Sequence, residues 1–163
     1  MTAAHFALLL TMLERHEGCR CEPYADPTNK TTIGIGYNVA DRGWAALEGV
    51  IGRTVDKAHP IITEDEARKV ASVDAHMVLL SLSLDLPWFQ ALDDVRQMAL
   101  ADLGFNMGVL KLLAFTNTLG DIARHDYAHA AQRLIASRWA TQVQPERRDR
   151  IVTMIRTGQE PTL

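Results

Sequence analysis

One stretch limits the architecture more than any other. Residues 63–85, TEDEARKVASVDAHMVLLSLSLD, contain neither proline nor glycine and open with Thr63 three positions ahead of Glu66. That spacing is a capping box, in which each residue's side chain satisfies the other's backbone N–H. The segment therefore reads as one helix, a rod of roughly 30 Å. In a chain of 163 residues, such a rod has to serve what comes before and after it, and those two parts differ in kind.

Before it, from Arg20 to about Val39, the sequence turns to Pro, Asn, Asp and alternating Thr, Ile and Gly, the pattern of a hairpin or small sheet with ADPTNK as its turn. TIGIG places Ile33 and Ile35 on one face and leaves the other bare at Gly34 and Gly36, so that a ligand's flat surface can approach the backbone, the plainer alternative being a glycine-rich edge strand. WAALEGVIG follows as a short helix. After the rod come FQALDDVRQMALADLGFNMG, AFTNTLGDIARHD, YAHAAQRLIASRWATQ and PERRDRIVTMIRTG, helical segments separated by Gly, Asn, Asp or Pro. Leu100, Phe105, Leu113, Phe115, Leu134, Trp139, Ile151 and Ile155 are their expected core. The expectation is an α+β chain, mainly α: one domain over 1–163, with a β-containing N-lobe at about 14–62, a connecting helix at 63–85 and a helical C-lobe at 86–160 on which the N-terminal helix packs.

Apolar residues at 47% and charged residues at 23% are ordinary for a globular protein, and no low-complexity tract interrupts them. FALLLTML is too short to span a bilayer and has neither a basic leader nor a cleavage pattern, so no signal peptide and no membrane anchor are expected. Cys19 and Cys21, one residue apart in an extended segment, are poorly placed to bridge each other, which points to a reduced place of synthesis. A net charge of −3 gives nucleic-acid binding no support, although Arg147, Arg148, Arg150 and Arg156 form a local basic run.

Phe6, Leu10, Leu13 and Glu17 fall on one face of an opening helix that Gly18 would stop. Burial and the negative end of the helix dipole both favour the protonated carboxyl at such a place, the form a general acid needs. Asp26 sits nine positions later, in the turn, and Thr32 six positions after that. Taken alone, an aspartate in a turn is as readily explained by turn conformation. His125 and His129 with Asp126, and His16 beside Cys19 and Cys21, are weak metal patterns, because neither has the spacing of a common zinc site. No metal or cofactor is expected.

HEG, YADPTNKTTIGIGY, TEDEA, GFNMG, AFTNTL, SRWATQ and VTMIRTG, in this order from about residue 8 to about 158, resemble the T-even phage lysozymes and the phage-type endolysins related to them. The resemblance implies a lysozyme-like fold of two lobes around a cleft. It also implies hydrolysis of the β-1,4 bond between N-acetylmuramic acid and N-acetylglucosamine in peptidoglycan glycan chains. Glu17 matches the family's general acid, and Asp26 with Thr32 the pair that holds the attacking water; inversion is the outcome the family favours. Phe105 and Asn106 match an aromatic and an amide that contact sugar, with Asn106 shorter than usual, and Gly36 lies in the backbone stretch a sugar would approach. Arg147, with Arg148 as the alternative, matches an arginine that pairs with the catalytic glutamate and opposes its protonation. Tyr37 stands where the family commonly has histidine, so a histidine–carboxylate pair at that place is missing. The family role is that of a monomeric endolysin made in the host cytoplasm, released to the cell wall and periplasm through a membrane lesion made by a holin, and causing host lysis. A lytic transglycosylase of the same fold and an inactive wall-binding or structural phage module are the alternatives.

Overall fold

The structure, a computed structural model, describes residues 1–26 and 29–162. The chain is mainly helical with one small sheet, the expected α+β class. It divides into two compact units: Leu10–His76, and Met1–Leu9 with Met77–Leu163. Helices α1 (Ala3–Glu17) and α4 (Glu64–Asp85) each supply residues to both.

In the Leu10–His76 unit, α1 is followed by β1 (Arg20–Ala25), β2 (Thr31–Gly34) and β3 (Tyr37–Asn38), which pair antiparallel in the order β1-β2-β3. Two short helices, α2 (Val39–Arg42) and α3 (Trp44–Ile51), come next. Leu13, Ile33, Tyr37, Leu47 and Ile62 are fully buried and form the centre of this unit's core. The capping box is made as expected: Thr63 N donates to Glu66 Oε2 at 2.8 Å, and Glu66 N donates to Thr63 Oγ1 at 3.1 Å. Arg53 then fixes the Glu66 carboxylate with two bonds of 2.6 and 2.7 Å. The Tyr37 ring lies in the core, its hydroxyl donating to Gly43 O at 2.9 Å.

The other unit is all helix. A single 3₁₀ turn, Phe89–Ala91, precedes α5 (Asp94–Met107), because Asp93 caps α5 by accepting Arg96 N at 2.9 Å. One expected helix thus becomes two elements. Helices α6 (Val109–Leu113), α7 (Thr116–Ala123), α8 (Tyr127–Ile135), α9 (Arg138–Gln142) and α10 (Pro145–Thr157) follow. The continuous helix expected over 127–142 breaks at Ser137, whose hydroxyl bonds back to Leu134 O at 2.6 Å. Leu100, Leu134, Trp139, Ile151 and Ile155 are core, as expected. Phe105, Leu113 and Phe115 are only half-buried, and Leu112 takes the inward place beside Leu113.

His125 and His129 do not share a helix face. His125 lies before α8 with φ 60, while Asp126 caps α8, taking His129 N at 3.2 Å and pairing with its ring at 2.6 Å. The C-terminal arginines do not form one exposed stripe either: Arg147 is buried, and Arg148 is engaged by Asp149 at 2.7 Å. Among the described residues no helix is long and apolar enough to cross a membrane.

Candidate active site

Glu17 is the last residue of α1. Gly18 follows in the left-handed region, φ 73, and returns its N–H to Glu14 O at 2.8 Å, so the helix ends there and leaves Glu17 half-buried at its tip.

The next segment is shaped by a proline. Pro23 sits inside β1, an edge strand, and cannot donate to the ladder. The register accordingly jumps: Arg20 faces Gly34, but Tyr24, four residues on, faces Thr32, only two residues back along β2. The bulge places Tyr24 directly across from Thr32, and Thr32 also pairs with Asn38 of β3. Cross-strand partners project to the same face, so Tyr24, Thr32 and Asn38 share one face of the sheet while Ile33 and Tyr37 share the core face.

Asp26 stands just past β1. Its N–H donates to Lys30 O at 2.9 Å, its carbonyl accepts Asn29 N at 2.8 Å, and its Oδ1 accepts Lys30 N at 2.9 Å, an arrangement that closes the turn and sets the direction of the carboxylate. Asn29 takes the positive φ of 63 that this closure needs. Of the expected turn ADPTNK, Pro27 and Thr28 lie outside the described residues. Thr32 is 3% exposed, and its hydroxyl donates to Lys30 O at 3.3 Å.

A residue that sequence reasoning did not single out connects these groups. Burial pushes the Tyr24 phenol above its usual range; the negative charge of Glu17 pushes the same way, Arg20 opposes, and Asp26 adds to the rise. Both carboxylates thus act on one side chain that stands across from Thr32. The Arg20 guanidinium covers the Tyr24 ring at 4.6 Å from its centroid. No feature of the sequence marks this tyrosine except its place two residues before Asp26 and its proximity to Pro23.

The bare glycine face is partly a correction. Strand β2 ends at Gly34, and the chain reverses through Ile35 and Gly36 with φ 67 and 72 at the two glycines. A Cβ at Gly34 would meet Ala67 Cβ and Ile62 Cδ1 at 3.2 Å, so that space is filled by α4 and the segment before it, not left for a ligand. Gly36 is half-buried in the turn.

Phe105, Asn106 and Arg147 belong to the helical unit. Trp139 Nε1 donates to Asn106 Oδ1 at 3.0 Å. An indole N–H can only donate, so it fixes which end of the amide is oxygen and leaves the Asn106 NH2 group as a donor. Arg147 is 5% exposed, and its Nε bonds to the fully buried Asp102 at 2.8 Å. An open depression of about 440 Å³ lies between α7 and the α8–α9 junction, lined by Phe115, Thr116, Thr118, Arg133 and Ser137; the Asp121 carboxylate holds Arg133 there at 2.6 Å.

Both cysteines are free and half-buried; burial pushes the Cys19 thiol up, and neighbouring Cys21 adds to it. Among the described residues no group of three His, Cys, Asp or Glu side chains could hold a metal ion.

A carboxyl at a helix end and a second carboxylate in a polar turn, both bearing on one side chain beside a buried hydroxyl, can serve the acid and base halves of glycoside hydrolysis. Residues 14–151 match the family described as Phage lysozyme. The chain is 33% identical over 158 residues to the probable T4-type lysozyme 1 of Dictyostelium discoideum, covering 90% of this chain and 92% of that one. It is 34% identical over 161 residues to the probable T4-type lysozyme 2 of the same organism, covering 92% and 94%. It also matches 27% of the pre-baseplate central spike protein Gp5 of Enterobacteria phage T4, with 31% identity over 157 residues. The chain belongs to the phage lysozyme family and is a lysozyme, a glycoside hydrolase that degrades peptidoglycan.

Proposed function

We propose that this lysozyme hydrolyses the β-1,4 bond between N-acetylmuramic acid and N-acetylglucosamine, with Glu17 as general acid and Asp26 and Thr32 holding the attacking water. The observation that carries the reading is the convergence on Tyr24, which stands across from Thr32 and lies near enough to both Glu17 and Asp26 for either carboxyl to act on it when ionised.

The hydrogen bonds suit these roles. Thr32 spends its proton on Lys30 O, so toward a water its oxygen is an acceptor. Asp26, oriented by Lys30 N, is an acceptor as well. A water that gives one hydrogen to each has its lone pair left over for the anomeric carbon. As it attacks, its proton passes to Asp26 while Glu17 gives its own to the departing glycosidic oxygen. Attack from the face opposite the leaving group inverts the anomeric centre and requires the two carboxyls about 6.5–9.5 Å apart.

Phe105 and Asn106 contact sugar in this reading, with the Asn106 NH2 group as donor; the Gly36 turn offers backbone, and Arg147 is a supporting cation. The biological role is that of a monomeric endolysin made in a host cytoplasm, released through a holin lesion and causing host lysis. Glu17→Gln removes the transferable proton and keeps the shape. Purified peptidoglycan suspensions should be cleared by the wild type and left turbid by the variant, and analysis of the cleaved ends should find reducing sugars; 1,6-anhydro ends would mean lytic transglycosylase chemistry.

A further inference from the structure

The Tyr24 ring has one face covered by the Arg20 guanidinium, which sets its plane. Its hydroxyl, among the described residues, makes no hydrogen bond to protein, although the side chain is half-buried and the hydroxyls of Tyr37 and Tyr127 both have partners, at 2.9 and 2.7 Å. Among the described residues no buried side-chain oxygen or nitrogen lacks a partner, so this hydroxyl is open to solvent. A phenol anchored by its ring, with its polar end in solvent on the face it shares with Thr32, is placed to meet something that arrives.

The bulge is what puts it there. A regular ladder running from the Arg20↔Gly34 pair would bring Glu22 opposite Thr32; the two additional residues around Pro23 bring Tyr24 instead. Bulges recur next to active sites because they redirect a side chain without changing the rest of the sheet.

Resting on the muramidase reading above, we propose that the Tyr24 hydroxyl is a substrate-binding group of the reaction site, donating a hydrogen bond to an oxygen of the sugar whose glycosidic bond is broken. The group has to be a donor to play this part. Burial is the largest effect and Asp26 adds to it, so the phenol stays protonated through the neutral range even with Glu17 in its acid form and Arg20 opposing. N-acetylated sugars present the matching chemistry, hydroxyl and acetamido oxygens that accept. Tyr24 transfers no proton; it holds the sugar ring between Glu17 and Asp26, so its bond counts most in the distorted ring of the transition state.

Tyr24→Phe removes the hydroxyl and keeps the ring beneath Arg20. With soluble glycan-strand fragments prepared from purified peptidoglycan, kcat/KM should fall about tenfold, most of it in kcat, with the melting temperature unchanged. Two variants run beside it. Tyr37→Phe loses a hydroxyl that is bonded within the core, so it should melt lower and keep wild-type kcat/KM. Glu17→Gln should be inactive. Wild-type kinetics for Tyr24→Phe beside an inactive Glu17→Gln would overturn the Tyr24 role and leave the acid assignment standing. An active Glu17→Gln would overturn the underlying reading. A Tyr24→Phe defect that came with a drop in melting temperature like that of Tyr37→Phe would reduce Tyr24 to a packing residue.

Discussion

Arg42 grips Asp74 with two guanidinium bonds of 2.5 and 2.6 Å while lying over the ring of Tyr37, 4.2 Å from its centroid. The end of α2 is thereby tied to α4. Tyr37 takes no part in the ion pair; it supplies the aromatic surface beneath the cation. The Asp74 side chain is 13% exposed, and a bidentate, stacked arginine there is stronger than an ordinary surface pair. Arg42→Met should lower stability by about 1 kcal/mol, seen as a fall of roughly 2–4 °C in melting temperature. Because Asp74 raises the Arg42 guanidinium above its already high range, the contribution is complete below that range and lost only above it. Between pH 6 and 9 the difference between variant and wild type should therefore stay constant in thermal melts.

Acid should act through Glu66. Two bonds from Arg53, aided by the Thr63 cap, hold its carboxyl at about 2, down from 4.5. A folded value below the unfolded one gives stability that is present above about 4.5 and lost as pH falls through about 2. The side chain is 18% exposed, and solvent screening reduces the net effect to about 1 kcal/mol. Glu66→Gln should melt lower than wild type at pH 7, and the two melting curves should converge as pH falls from 4.5 toward 2.

Much of the fold was legible because local chemistry and tertiary role agree. The Thr63–Glu66 box, the absence of Gly and Pro through Asp85, Pro145 at the start of α10 and Gly158 after its end each specify an element boundary without help from packing. Prediction fails where a short-range signal is overridden. Ser137 splits a helix by bonding back to Leu134 O, and α6 is too short to show periodicity. At Gly34 the missing Cβ makes room for Ala67, which no local pattern could reveal. Glu17, Asp26 and Thr32 can be picked out of the sequence as an ordered set of candidates, whereas the placement of Tyr24 across from Thr32 cannot. Its place depends on a register jump around Pro23, and register is a property of two strands, not of one.

The pairing of Trp139 with Asn106 separates structure from binding at one residue. Asn106→Leu leaves the indole N–H of a buried tryptophan without an acceptor and should cost about 1–2 kcal/mol, measured by denaturant unfolding. Asn106→Asp keeps an oxygen for Trp139 but loses both amide donors. It should retain most of the stability and raise KM for glycan fragments severalfold, and an unchanged KM would remove Asn106 from the sugar-binding set.

Thr32 and Asp26 should separate from the binding groups in kinetics. Asp26→Asn and Thr32→Ala remove acceptors for the water and not contacts to sugar, so kcat should fall by two or more orders of magnitude for the first and about tenfold or more for the second, with KM little changed. Thr32→Ser, which keeps the hydroxyl, should restore most of the rate if water positioning is its role. A serine variant as slow as the alanine variant would assign Thr32 to packing.

The most direct measurement is the release of reducing ends from purified peptidoglycan by wild type and Glu17→Gln at equal concentration, with circular dichroism confirming that both are folded. The account predicts steady release of reducing N-acetylated sugar ends by the wild type and none above background by the variant. Comparable release by a folded Glu17→Gln would contradict the assignment of Glu17 as the acid, and with it the mechanism built on Asp26 and Thr32.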